Sequence, residues 1–214
     1  MEKHMTLDEL ALKHGTDKAS SDHGYTKHYE LYFDSYRDFD FKFLEIGVYD
    51  GSSVKLWKDY FSKADITAID IDTRCLEYAE DRINIVIGDQ TDAKFLQSVN
   101  NEYGSFAIIL DDGGHSNKQQ IVSFETLFPL LLPGGIYIIE DLHCSYVKNS
   151  QWDDYHISTT EYLKQLTDKV NLYGKSFRGY KEIAGHQLDY FERNIEYIHF
   201  YKSTCVIAKK QVPL

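Results

Sequence analysis

Acidic side chains and imidazoles follow two neighbouring apolar runs of the sequence. Residues 111–115 read DDGGH after the first run, and residues 140–143 read EDLH after the second. Clustered carboxylates repel one another, and a hard divalent cation with oxygen ligands relieves that repulsion. Asp112, Glu140 and Asp141 are therefore the predicted ligands of Mg²⁺ or Mn²⁺. The alternative is that one acid of each run binds a cofactor and the others are solvated.

An imidazole belongs to the same predicted cluster. His115 follows Asp112 across a Gly-Gly turn, so its ring can reach a hydroxyl held by the cation. Because an imidazole has an ordinary pKa of about 6.5, it can accept a proton near neutral pH, and His115 is the predicted general base. Asp111 is assigned to cofactor binding. His143 either contacts the substrate or packs.

A glycine-containing loop joins an earlier apolar run to a predicted helix. Residues 45–53 read EIGVYDGSS, an ExGxxxG pattern. Glycines let the backbone approach a ligand, and a helix start offers free N–H groups. A dinucleotide loop would read GxGxxG, whereas wider spacing with flanking carboxylates suits a nucleoside that carries an ammonium and a sulfonium. The alternative is a plain strand-to-helix turn. The candidate cofactor contacts here are Glu45, Gly47, Asp50, Gly51 and Ser52.

Two more apolar runs end in polar residues. Asp70 ends one run, where a carboxylate can accept hydrogen bonds from the ribose hydroxyls of a nucleoside. Asp89 and Gln90 follow the next run and could bind the adenine edge. Ligands of open α/β sheets lie outside the carboxyl ends of the strands, so these ends together predict one nucleoside site. The alternative for Asp70 is a solvated carboxylate.

Alternating strands and helices must position these residues. Continuous apolar runs between helical segments indicate a parallel sheet covered on both faces, and right-handed crossovers make it doubly wound. The fold class predicted is α/β: a Rossmann-like doubly wound sheet of five parallel strands plus a C-terminal antiparallel hairpin over residues 195–209. The five parallel strands are predicted at 41–48, 65–71, 83–87, 106–110 and 136–139. The helices are predicted at 7–14, 26–36, 53–61, 75–79, 92–101, 119–131 and 152–173.

Length, charge and cysteine content limit the function further. The 214 residues suit one domain over 1–214, with an N-terminal helical lid segment over 1–40 and an irregular insertion over 174–190. A net charge of −11 argues against a nucleic-acid partner. Three scattered cysteines fit reduced thiols in the cytoplasm, and no apolar run is long enough to span a membrane. Aromatic residues over 152–190 are consistent with a homodimer.

These motifs resemble those of a family of metal-dependent O-methyltransferases that use S-adenosylmethionine (SAM). The family includes macrolide-sugar methyltransferases of the mycinamicin type and relatives associated with surface polysaccharides, and cephalosporin hydroxylases are more distantly similar. The resemblance covers nearly the whole chain. It is carried by HGTDK, HGY, LEIGVYDGSS, GDQTD, DDGGHSNKQQ and LFPLLLPGGIYIIEDLHCSY.

The resemblance implies a class I methyltransferase fold, SAM as cofactor, and magnesium at Asp112, Glu140 and Asp141, with His115 as general base. The acceptor it implies is a hydroxyl of a small molecule, a sugar or a glycosylated metabolite, and residues 15–25 are implied to close over cofactor or substrate. Two features depart from the family. The family usually has serine where Gly114 stands, and this chain lacks the extra N-terminal domain of some macrolide enzymes.

Two other functions remain as alternatives. A non-catalytic SAM-binding regulatory protein would share the glycine loop but would have no need of a general base. An oxidoreductase on the same fold, NAD-dependent or of the hydroxylase type, would share the sheet. The ExGxxxG spacing argues against NAD, and the carboxylate cluster with His115 argues against a purely binding role.

Overall fold

Alternate residues of the central strands pack into two apolar clusters, one on each face of a sheet. The protein is described by a computed structural model that covers residues 4–172 and 188–211. Phe43 packs in one cluster and its neighbour Leu44 in the other, and both are fully buried. Successive side chains of a strand point to opposite faces, and both of these are buried, so both faces of the sheet are covered.

The seven strands follow the predicted fold class, which is confirmed. They run in the order β3-β2-β1-β4-β5-β7-β6. Strands β1 to β5 are parallel, and β7 pairs antiparallel with both β5 and β6. The order reverses between β1 and β4, which is where ligands bind in open α/β sheets. The strands are β1 Lys42–Ile46, β2 Asp65–Asp70, β3 Ile83–Ile87, β4 Ile108–Asp111, β5 Ile136–Ile139, β6 Ile195–Tyr201 and β7 Thr204–Lys209.

The helices fill the connections. Within the described residues, no helix is long and apolar enough to cross a membrane. The α-helices are α1 Leu7–His14, α2 Thr26–Phe33, α3 Ser52–Tyr60, α4 Ala93–Tyr103, α5 Asn117–Leu127, α6 Thr159–Leu172 and α7 Tyr190–Asn194. Short 3₁₀ helices lie at Asp34–Tyr36, Thr73–Tyr78, Phe128–Leu130 and Leu142–Tyr146.

Three helix predictions differ from the structure. The helix predicted at 75–79 is a 3₁₀ segment over Thr73–Tyr78, which the Asp72 side chain caps at Arg74 N. The helix predicted at 119–131 begins earlier, at Asn117, because Ser116 and Gln119 form a capping box, and it ends at Leu127 before a 3₁₀ turn that contains a proline.

The helix predicted over 152–173 begins only at Thr159. The preceding residues hold the start of α5 instead: the Asp154 carboxylate accepts hydrogen bonds from Ser116 Oγ (2.8 Å) and Lys118 N (3.0 Å). Residues 153–158 have irregular backbone with a bend at 155–157 rather than a helix. Of the insertion predicted over 174–190, residues 174–187 lie outside the described part, and Tyr190 begins α7.

Candidate active site

A cleft opens where the strand order reverses, at the carboxyl ends of β1, β2 and β4. Gly47 forms its floor with φ of 97°, and a Cβ atom there would lie 2.1 Å from the Asp112 carbonyl oxygen. Only glycine fits this close approach. The cleft has room for a ligand directly above the backbone. Its lining includes Gly47, Asp70, Gly88, Asp89, Gln90 and Gly113.

Asp70 lies at this cleft and also holds the glycine loop. Its Oδ2 accepts hydrogen bonds from Val48 N (2.8 Å) and Tyr49 N (3.1 Å), and its Oδ1 accepts one from Asp72 N (2.8 Å). Partial burial raises the pKa of Asp70, but the three backbone N–H groups outweigh it and hold the pKa below its ordinary value. The side chain is therefore an anion with limited acceptor capacity left for a ligand.

Asp111 lies one layer deeper, and Gln90, which lines the cleft, contacts it. Gln90 Nε2 donates to Asp111 Oδ1 (3.1 Å), and Gln90 Oε1 accepts from Gly114 N (2.8 Å), so the amide supports the turn that leads to His115. The Asp111 carboxyl group is fully buried, and burial raises its pKa to about 7. It does not line the cleft.

The glycine loop places its predicted contacts in different surroundings. Asp50 and Ser52 line a second cleft together with residues 15–18, and Asp50 Oδ1 accepts from Ser52 N (3.0 Å). Gly51 caps α3 with φ of 73°, and a Cβ there would lie 2.5 Å from the Tyr78 ring. The Glu45 carboxyl is fully buried with no well-formed hydrogen bond to the described residues, and burial raises its pKa to about 7.

Two of the three predicted metal ligands, Asp112 and Asp141, come together with His115 at the second cleft. Single ligand atoms of Asp112, His115 and Asp141 lie within 4.8 Å of one another. Glu140 lies deeper and is almost fully buried. The structure therefore groups two partly buried carboxylates, those of Asp112 and Asp141, with the imidazole of His115. The third carboxylate, that of Glu140, lies beneath them.

A lysine lies between the carboxylates. Lys18 Nζ donates to Glu140 Oε2 (3.0 Å) and to Asp112 Oδ2, and the lysine side chain is only 1% exposed. Burial would lower the pKa of Lys18, but the Asp112 and Glu140 carboxylates hold it well above its ordinary value, so the ammonium remains charged. This cation offsets the repulsion of the acids in the structure.

Two tyrosines complete the contacts of the acids. Tyr25 OH donates to Asp141 Oδ1 (2.8 Å), and Tyr29 OH donates to Glu140 Oε1 (2.7 Å). Tyr25 belongs to the loop before α2, and Tyr29 lies within α2. Together with Lys18, the N-terminal segment contacts every one of the three acids.

His115 faces the cluster through one nitrogen. Nε2 lies 3.5 Å from Asp141 Oδ2, whereas Nδ1 is buried without a hydrogen-bond partner in the described structure. His115 and Asp141 both have positive φ values, of 59° and 55°. Such conformations are uncommon for residues other than glycine and concentrate at functional sites.

His143 lies beside the cluster at the mouth of an apolar cleft. Its Nδ1 is 2.6 Å from Ser203 Oγ, at the turn of the β6–β7 hairpin, and 3.8 Å from Asp141 Oδ1. This third cleft continues away from the acids. The side chains that line it include Leu142, Tyr146, Thr160, Lys164, Phe200 and Tyr201.

Lys18, Tyr25 and Tyr29 are site residues to which the sequence alone assigned no individual role. Lys18 lies within HGTDK, one of the motifs that carry the family resemblance, but its charge was not paired with the acids. A lysine in a loop that is implied to close over the cofactor or substrate, beside an acidic cluster, is a signal for an ion pair between the two. In this chain 94 residues separate Lys18 from Asp112. Tyr29 gives no signal, since its helical spacing is that of a core residue.

Comparisons with known proteins place the chain among methyltransferases. It is 34% identical over 213 residues to 8-demethyl-8-α-L-rhamnosyl tetracenomycin-C 2'-O-methyltransferase of Streptomyces olivaceus, covering 95% of this chain and 54% of that protein. It is 34% identical over 217 residues to mycinamicin VI 2''-O-methyltransferase of Micromonospora griseorubida, covering 95% and 52%. The chain thus spans about half the length of the curated relatives it matches. No family model matches the chain.

Solved structures agree. The MycE methyltransferase of the mycinamycin biosynthetic pathway, in complex with Mg and SAH, superposes with a TM-score of 0.86 at 32% identity, covering 97% of this chain and 54% of that one. A MycE complex with Mg, SAH and mycinamycin VI gives a TM-score of 0.83 at 32% identity, covering 97% and 55%.

Proposed function

We propose that this chain, a homologue of sugar O-methyltransferases over nearly its whole length, transfers a methyl group from SAM to a hydroxyl of a sugar or glycosylated metabolite. The observation that carries the proposal is the convergence of Asp112, His115 and Asp141 beside a cleft at the switch point of the sheet. A binding protein would need the cleft but not the imidazole.

The cleft above Gly47 fits the nucleoside part of SAM. The missing Cβ lets the Gly47 backbone pack closely against Asp112 beneath the cleft, and Asp70 and Asp89 line the opening with carboxylates. We assign Asp70 to the ribose and Asp89 with Gln90 to the adenine edge. The second cleft, where Asp50 and Ser52 lie, would take the charged methionine end.

The other residues predicted to bind the cofactor, Glu45, Gly51 and Asp111, lie outside the linings of both clefts. Gly51 shapes the start of α3, and the buried Glu45 carboxyl lies under the same loop. Asp111 supports the Gly113-Gly114 turn by way of Gln90. We propose that these three shape the cofactor site without facing the ligand directly.

The acidic cluster fits a divalent cation such as Mg²⁺. Asp112 and Asp141 offer carboxylate oxygens at the cleft, and Glu140 offers a third from below. Bound there, the cation would polarise an acceptor hydroxyl and lower its pKa. Tyr25 and Tyr29 would fix the orientation of the Asp141 and Glu140 carboxylates through their hydrogen bonds.

His115 would remove the acceptor proton at Nε2. This nitrogen faces the cluster, while Nδ1 points into the protein and would carry the ring proton. Asp141 lies 3.5 Å from Nε2 and would stabilise the imidazolium that forms. The fixed αL turn at His115 holds the ring in position before the acceptor binds.

The apolar cleft beside His143 would hold the body of the acceptor. Aromatic side chains of Tyr146, Phe200 and Tyr201 line it, and His143 connects it to Asp141. An acceptor with a large apolar part and a hydroxyl near His115 would fit this arrangement. The net charge of −11 supports a small molecule rather than a nucleic acid as acceptor.

We further propose that the chain acts as a single domain with residues 1–40 as a lid segment. Its three cysteines, Cys75, Cys144 and Cys205, are free and buried, which supports a reducing compartment and hence the cytoplasm. The exposed Tyr190 side chain, within the aromatic-rich sequence 152–190, supports a homodimer as a further proposal.

Two measurements test the proposed function. Candidate glycosides incubated with SAM and Mg²⁺ should yield products heavier by one methylene group in mass spectrometry. Calorimetry should show binding of SAM or its demethylated product and no binding of NAD. Tight NAD binding without SAM binding would favour an oxidoreductase, and SAM binding without any product across acceptor classes would favour a regulatory protein.

A further inference from the structure

Lys18 occupies the gap between two carboxylates that a bound cation would have to bridge. Its Nζ is within hydrogen-bond distance of both Asp112 and Glu140, and the side chain is almost completely buried. The nearest other acid is Asp17, whose Oδ1 lies 4.0 Å from the same nitrogen and whose side chain is 57% exposed. Lys18 therefore has two partners inside the cluster and one outside it.

The ammonium and a divalent cation cannot share this gap. Mg²⁺ needs carboxylate oxygens at about 2.0–2.1 Å, and one oxygen of each acid, Asp112 Oδ2 and Glu140 Oε2, accepts a hydrogen bond from Lys18. Two positive charges this close in a buried site would repel strongly. A divalent cation that coordinates both of these oxygens must therefore displace the ammonium.

We propose that Lys18 is the resident counter-ion of the acidic cluster and withdraws when a divalent cation binds. The inference rests on the proposed function, because it takes the cluster as the metal site. Asp17 provides a partner for the withdrawn ammonium at the mouth of the second cleft. Metal loading is thereby coupled to the loop over residues 15–25, which also carries Tyr25.

The replacement of the Lys18 ammonium by a divalent cation would have two consequences for the site. Without metal, the lysine offsets the negative charge of Asp112 and Glu140, while Tyr25 OH donates to Asp141. With metal, the side chain is freed at the rim of the cleft where Asp50 and Ser52 lie. Metal binding at the acidic cluster would therefore change the charge at the rim of the cleft that Asp50 and Ser52 line.

Labelling of the wild-type protein tests the withdrawal directly. An amine-acylating reagent should modify the buried Lys18 slowly without metal and at least about tenfold faster at saturating Mg²⁺, as measured by peptide mass spectrometry. Lys13 is the internal control, because its side chain is 55% exposed and pairs with Asp59. Unchanged protection of Lys18 at saturating metal would overturn the proposal.

Metal affinity gives the second test. In K18M the competing charge is gone, so Mn²⁺ should bind about tenfold more tightly than in wild type by electron paramagnetic resonance of the free ion. K13M removes the same charge outside the cluster and should leave the affinity close to that of wild type. Equal affinities of K18M and K13M would overturn the proposal.

The result also separates this inference from the proposed function. If Mn²⁺ bound to none of the proteins, both this inference and the metal assignment would be wrong. Methyl transfer itself would still be judged by the mass of the product. If Mn²⁺ bound and Lys18 stayed protected, only the exchange would be wrong.

Discussion

The imidazole of His115 and the carboxylate of Asp141 face each other, with Nε2 3.5 Å from Oδ2, across two turns that both adopt left-handed backbone conformations. The turns follow β4 and β5, neighbours in the sheet. The sheet register therefore sets the distance between a proton acceptor and an acid. This pair is the part of the site most directly tied to proton transfer.

Replacing His115 by alanine should lower kcat by about 10²–10⁴-fold, because a positioned general base contributes that much. SAM affinity should stay close to that of wild type, since the imidazole is assigned to the acceptor hydroxyl and lies outside the cleft that would hold the nucleoside. Steady-state kinetics and calorimetry measure the two effects. His143→Ala is the matched control and should act mainly on KM. A crippled His143→Ala beside a nearly normal His115→Ala would show that the base has been misassigned.

Removal of divalent cations should abolish turnover and leave SAM binding largely intact. The acids are assigned to the cation and the acceptor, whereas the nucleoside part of SAM would bind in the other cleft, lined by Gly47, Asp70 and Asp89. Activity after EDTA treatment and after addition of Mg²⁺ or Mn²⁺ measures the first effect, and calorimetry measures the second. Full activity in EDTA would show that the acids serve another purpose.

Asp70→Ala should weaken SAM binding by roughly 1–3 kcal/mol, because hydrogen-bonded groups on the ligand and at Val48 and Tyr49 would lose their acceptor. Isothermal titration with the demethylated cofactor measures the change. Asp72→Ala is a suitable control, since the Asp72 side chain contacts Arg74 at the surface. Equal losses in both variants would point to a general disturbance of the turn after β2.

Asp111→Asn should flatten the pH dependence of stability. The folded pKa of Asp111 is raised from 3.8 to about 7, so folding is favoured by protonation. That contribution is complete below about pH 4 and is lost as pH rises towards about 7. Relative to the variant, the free energy of unfolding of the wild type should fall by roughly 2–4 kcal/mol over this range. Urea unfolding of both proteins at several pH values measures it, and parallel curves would contradict the assignment.

The sheet could be predicted from the sequence because its signals are local. The runs at 83–87 and 136–139 match β3 and β5 in full, since each is a short apolar stretch between turn residues. Helix ends were harder: residues 152–158 were predicted as helix, but Asp154 caps a different helix through contacts that are distant in sequence. A periodicity argument cannot detect such a competitor.

The site could be predicted only in part, for a related reason. Acidic residues at strand ends can be recognised from the sequence as candidate site residues, because parallel strands bring their carboxyl ends to one edge of the sheet. Which oxygens remain available does not follow from the sequence. The Asp70 carboxylate is occupied by three backbone N–H groups, and Glu140 is occupied by Tyr29 and Lys18. Those contacts depend on loop conformations that no local pattern specifies.

The contacts of Lys18 and Tyr25 with the acids join parts of the chain 94 to 122 residues apart. Closing such long loops costs conformational entropy before the contacts can repay it, so we expect these pairs to form after the shorter-range strand pairs β1–β2 and β4–β5. The strands around β1 and β4 can therefore assemble first, and the acids acquire their partners last. In the folded protein we expect the same contacts to open before the sheet does. Local unfolding would therefore begin at the site.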